Sequence, residues 1–125
     1  MKSTGACTIE SLFEGYPRSL ALFQHVRRYI DSLEAVKVEA SKTQVSFGVK
    51  RKFAWVWLPQ MGIKKQPQDS LVLTFSLPRR VEDPRIKQAV EPRPGRWTHH
   101  VVMLREADFD DRVKEWLRES YSRAV

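Results

Sequence analysis

The chain has 125 residues, 42% hydrophobic and 30% charged, with a formal net charge of +7, three histidines and one cysteine. That length suits a single domain with a real core, and that balance is globular and not disordered. A lone cysteine excludes an internal disulfide, and no apolar run approaches the roughly 20 residues of a membrane-spanning helix, so a cytoplasmic protein with no membrane association is expected.

Residues 1–7 are expected to be disordered. Thr4-Gly5-Ala6-Cys7 is not expected to be a lipoprotein cleavage site, because the six residues before Cys7 form no apolar stretch. Thr8 is a predicted N-cap for a short helix running to about Gly15. Pro17 suits the first turn of a second helix, in which Leu20, Phe23, Val26, Ile30 and Leu33 form one apolar stripe.

The period then changes to two. Val36 and Val38 alternate with polar neighbours, as do Val45, Phe47 and Val49. After the basic turn Lys50-Arg51-Lys52, alternation puts Phe53, Trp55 and Trp57 on one face and Ala54, Val56 and Leu58 on the other. These runs read as an antiparallel hairpin with an aromatic second strand. Pro59 to Ser70 reads as a surface loop. Leu71, Leu73, Phe75 and Leu77 make a further alternating strand, stopped by Pro78.

Asp83-Pro84 has the form of a helix start, predicting a short helix from Arg85 to Val90 ended by Pro92, Pro94 and Gly95. A last strand is predicted from Trp97 to Leu104. Asp108 is then read as the cap of a closing helix with Phe109, Val113, Trp116, Leu117 and Tyr121 along one side. The expected fold is a single α+β domain: an antiparallel sheet of about five strands, two N-terminal helices, a short inserted helix and a C-terminal helix packed on it.

Positive charge is confined to the strand block. Residues 42–105 hold 13 Lys or Arg against four acids, a net +9, together with Trp55, Trp57 and Trp97. A localised charge marks the part that meets a partner. Cations and aromatics interleave at 50–57 and again in Arg93-Pro94-Gly95-Arg96-Trp97. That composition suits either single-stranded nucleic acid, by stacking and phosphate contact, or an anionic small molecule in a tryptophan-walled site. Aromatics at period two also serve as plain core, and spacing alone does not separate a wall from a core.

The pair His99-His100 invites a catalytic reading with an acid such as Glu91. Adjacent strand residues point to opposite faces, so at most one can enter a given site. The ordinary reading, one histidine partly buried and hydrogen-bonded and the other exposed, outweighs a catalytic one. No metal ligand set, Gly-rich phosphate loop, nucleophile elbow or acid-x-Lys nuclease motif is present in the sequence. No cofactor and no catalytic residue is assigned. The candidate ligand-binding residues are Lys42, Gln44, Trp55, Trp57, Arg96, Trp97, His99 and His100, in a non-enzymatic module for an anionic ligand. Single-stranded nucleic-acid binding is the first alternative, and a small enzyme using His99 or His100 the second.

Several stretches carry a resemblance to a known family. They are Thr8-Ile9-Glu10-Ser11-Leu12-Phe13, Ser41-Lys42-Thr43-Gln44-Val45-Ser46-Phe47, Phe53-Ala54-Trp55-Val56, Pro84-Arg85-Ile86-Lys87 and Gly95-Arg96-Trp97-Thr98-His99-His100, followed by the helix from Asp108 to Tyr121. In this order they resemble bacterial domain-of-unknown-function family 5655. The resemblance implies a small domain without an established activity, so it carries over no catalytic residues.

Overall fold

A computed structural model describes residues 8–59 and 69–125. The expectation of disorder at 1–7 and most of the loop read between Pro59 and Ser70 lie outside these residues.

Helix α1 (Ile9–Leu12) starts at Thr8, whose hydroxyl accepts the Ser11 amide while Ser11 returns a bond to the Thr8 amide. It is one turn long, and the chain turns at Gly15 (φ +84°) before Pro17 opens helix α2 (Pro17–Ile30). Leu22, Phe23, Val26 and Ile30 of α2 are buried.

Six strands follow: β1 (Lys37–Ala40), β2 (Gln44–Gly48), β3 (Lys52–Trp57), β4 (Leu71–Leu77), β5 (Ile86–Arg93) and β6 (Arg96–Met103). They form one antiparallel sheet in the order β1-β2-β3-β4-β6-β5. Helix α3 (Asp111–Ser122) closes the chain. The architecture is α+β, with six strands in place of about five.

The predicted inserted helix is strand β5. Asp83 does not cap a helix there; its carboxylate accepts the Arg85 amide and guanidinium. Pro94 and Gly95 (φ +76°) form the two-residue turn between paired Arg93 and Arg96, so they end a strand of a hairpin and not a helix. The closing helix is capped by Asp110, which accepts the Val113 amide. Asp108 instead accepts the Leu104 and Arg105 amides around a single 3-10 turn.

One face of the sheet carries the core. Val45, Phe47, Val56, Leu71, Leu73, Phe75, Val101 and Met103 join the buried side chains of all three helices there. Phe47 stacks on Phe23 of α2 (6.2 Å) and Phe75 on Trp116 of α3 (5.7 Å). Residues 78–85 run from β4 to β5 on this same side. They are tied down by the Val81 amide on His99, by a two-pronged Arg79–Glu119 pair and by Arg85 on Asp110.

A bulge changes the predicted face of one aromatic. Ala54 pairs with Phe47 and Lys52 with Gly48, so Phe53 is an extra residue on its strand. Phe53 accordingly joins the core, its ring edge-on to Tyr121 at 5.5 Å, and does not share a face with Trp55 and Trp57.

Candidate functional site

No helix among the described residues covers the second face of the sheet in the core cluster, and alternation sends Gln44, Ser46, Trp55, Trp57, Thr74, Thr98 and His100 to it. The register sets them in rows across strands. Gln44 lies opposite Trp57, Trp55 opposite Thr74, and Thr74 opposite His100. Cross-strand neighbours of this kind stand close enough to touch.

They do touch. The Trp57 indole Nε1–H donates to Thr74 Oγ1 at 2.9 Å, and Thr74 Oγ1 lies 2.7 Å from His100 Nδ1. The Trp57 and His100 rings meet edge to face at 5.4 Å. Thr74 is 5% exposed, so its own hydroxyl hydrogen needs an acceptor, and His100 Nδ1 supplies it. This assigns the neutral imidazole its hydrogen on Nε2. Burial holds the His100 pKa below the ordinary histidine value, in keeping with a neutral ring.

These side chains border a concavity of about 420 Å³. Gln44, Trp55, Trp57, Thr74, Thr98 and His100 line it from the strands, and Pro92, Arg93 and Arg96 from the end of the β5–β6 hairpin. Trp55, Trp57 and Arg96 are half-buried. Thus two tryptophans, a histidine held by Thr74 and two arginines border one space.

Of the eight residues singled out in the sequence, Gln44, Trp55, Trp57, Arg96 and His100 are brought together here. Lys42 stands exposed in the turn between β1 and β2 and does not line the concavity. Trp97 and His99 lie on the core side. Trp97 is covered by the Arg80 guanidinium, 5.8 Å from its ring. His99 is fully buried, stacked on Phe75 at 5.3 Å, and its Nε2 accepts the Val81 amide at 3.0 Å. Burial lowers its pKa, helped by Arg79, His100 and Arg80 and opposed by the Phe75 carbonyl. Neither histidine of the pair is exposed, contrary to the expectation for one of them.

Thr74, Thr98, Pro92 and Arg93 line the concavity without having been singled out. Thr74 had a signal, as the polar residue alternating with Leu73 and Phe75; the others depend on hairpin pairing at the sheet edge.

Neither His99 nor His100 bonds a carboxylate among the described residues. No group of three His, Cys, Asp or Glu that could hold a metal ion occurs among them either. No described helix is long and apolar enough to cross a membrane. A protein-family model described as "Domain of unknown function (DUF5655)" matches residues 9–124. No curated protein and no solved structure matches the chain.

Proposed function

Because the chain belongs to the DUF5655 family, a family of unknown function, we propose a role from the site itself: a non-enzymatic module that binds an anionic ligand on the open face of its sheet. The carrying observation is the convergence of Trp57, His100 and Arg96 on one concavity of about 420 Å³. That volume falls in the range of roughly 300–1,000 Å³ common for small-molecule sites. Indoles supply flat apolar contact, the His100 Nε2–H supplies one oriented donor, and Arg93 and Arg96 supply charge and forked hydrogen bonds to a carboxylate or phosphate. The Trp57–Thr74–His100 chain fixes two of these groups before any ligand arrives, which lowers the ordering cost of binding.

Single-stranded nucleic acid is the second reading. It is favoured by the placement of Trp55 and Trp57 two residues apart on one strand and one face, with cations at the rim.

A thermal-shift panel of carboxylated metabolites, phosphorylated metabolites and short single strands tests both. A rise in Tm with a metabolite, lost in Trp57→Ala and Arg96→Gln, supports the first reading. Binding of strands that weakens steeply between two salt concentrations supports the second. No shift with any member of the panel overturns the proposal.

A further inference from the structure

A second concavity of about 420 Å³ lies at the end of the sheet, and strand geometry explains it. The β3–β4 ladder stops at Ala54 opposite Phe75, while β4 continues to Leu77 and β3 bulges at Phe53. Backbone groups that would otherwise pair there are taken by helix α3. Ser120 Oγ donates to the Phe53 carbonyl at 2.8 Å and accepts the Ser76 amide at 3.3 Å. The splayed strand ends and the last turn of α3 leave the gap open.

Its lining includes Arg51 and Lys52 from the start of β3, Arg96 from the hairpin and Arg123 from the end of α3. No carboxylate belongs to the lining. Of the acids nearby, Glu39 is shared with Lys52 of this lining, and the other two are engaged elsewhere. Glu39 reaches Lys52 at 3.7 Å, Glu91 accepts the Gly95 amide at 3.1 Å, and Glu119, which feels the Arg123 charge, is held by Arg79. Arg51, Arg96 and Arg123 form no ion pair among the described residues.

The negative end of the α3 dipole opposes an anion here. Part of that field is internally satisfied, because the Arg123 amide caps the Glu119 and Ser120 carbonyls and the Ala124 amide caps that of Tyr121. The charge of Arg51, Arg96 and Arg123 outweighs the remainder.

We propose that this end cavity is a binding site for a phosphoryl group. A carboxylate offers two oxygens and one charge, which a single guanidinium can satisfy. Three arginines from three separate elements, none of them ion-paired among the described residues, match the greater charge and the additional oxygens of a phosphate ester or diphosphate, with Lys52 shared between the site and Glu39. The site shares Arg96 with the open-face concavity but otherwise uses different side chains, so it stands or falls separately from the proposal above.

Inorganic pyrophosphate at low salt is the probe, titrated into the full ¹⁵N-labelled chain and, in parallel, into a calorimeter. Amide shifts are expected to cluster at Arg51, Lys52, Gly95 and Arg123. Arg51→Gln with Arg123→Gln, both exposed positions, is expected to weaken binding by about tenfold or more, while Lys42→Gln, an exposed position that lines neither concavity, leaves it unchanged. Absence of heat and shifts, shifts scattered over the surface, or a loss below about tenfold in the double variant overturns the site. The shift map on the unaltered chain decides the matter even if the double variant fails to fold.

Discussion

Asp69 caps helix α2 through Ser19. Its carboxylate accepts the Ser19 amide at 2.8 Å and hydroxyl at 3.0 Å, and the Arg18 amide at 3.3 Å. The local N-cap position is Tyr16, which has no side-chain cap bond, so the cap comes from the start of β4 instead. Asp69→Ala is expected to cost about 1 kcal/mol, read as a lower urea midpoint at unchanged slope. Burial alone would raise the Asp69 pKa, but the Ser19 amide and hydroxyl and the Arg18 amide together bring it below the usual carboxylate value. The contribution is therefore complete above the unfolded-state pKa and lost as pH falls through the folded one. At a pH below both values the variant and the parent should differ little.

Trp57 and Thr74 should couple energetically. Trp57→Phe removes one donor and is expected to cost about 1 kcal/mol, whereas Thr74→Val strands the indole N–H and His100 Nδ1 and is expected to cost about 1–3 kcal/mol. The double variant should lose less than the sum by about 1 kcal/mol, measured by denaturant unfolding of all four proteins. Strict additivity would show that the bond seen at 2.9 Å contributes nothing.

Both His99 and His100 have folded-state pKa values below the ordinary one, with burial the leading cause. The unfolded chain therefore binds protons first as pH drops. Stability from these groups is complete above about 6.5 and is lost as pH falls toward their folded-state values. Tm should decline between pH 7.5 and 5.5, before the depressed carboxylates begin to titrate. The ring proton signals of both histidines should titrate with midpoints below about 6.5; a midpoint above that value for either would contradict its burial.

Two serines, the buried Ser120 and the half-buried Ser76, should respond in opposite ways. Ser120→Ala leaves the Phe53 carbonyl and the Ser76 amide without their partner and is expected to cost about 1–3 kcal/mol. Ser76 Oγ is shielded from water and bonded to nothing among the described residues, so Ser76→Ala should be neutral or slightly stabilising. Thermal unfolding of the two variants side by side checks the pair.

Much of this could be read before the structure because alternation survives where a strand has one buried and one open face. Strands β2 and β6 keep that contrast in part, whereas β4 is buried along both faces and only its polar Thr74 and Ser76 mark the second one; Gln44, Thr74 and His100 follow from parity once the strands are placed. Parity also separates Arg96 and His100 from Trp97 and His99, which a search by residue type had grouped together. Strand β5 escaped for a physical reason. It is an edge strand with Lys87, Gln88, Val90 and Glu91 all exposed, so no buried face imposes period two on it. Arg93 and Pro92 reach the site only because β6 inserts between β4 and β5, a pairing that no local pattern encodes.

The extra residue at Phe53 also bears on how relatives of this chain are to be aligned. It acts as a phase shift: the alternation from Ala54 onward is in frame with the open-face tryptophans, while the stretch before it obeys the opposite parity. A one-residue insertion or deletion within 49–53 could thus be absorbed as a gained or lost bulge, leaving Trp55 and Trp57 in place. The same change at 54 would turn both indoles into the core, and at 56 it would turn one of them. Length variation in family members should therefore collect on the turn side of Phe53, and a member with a gap on the other side should lose one or both tryptophans from that face.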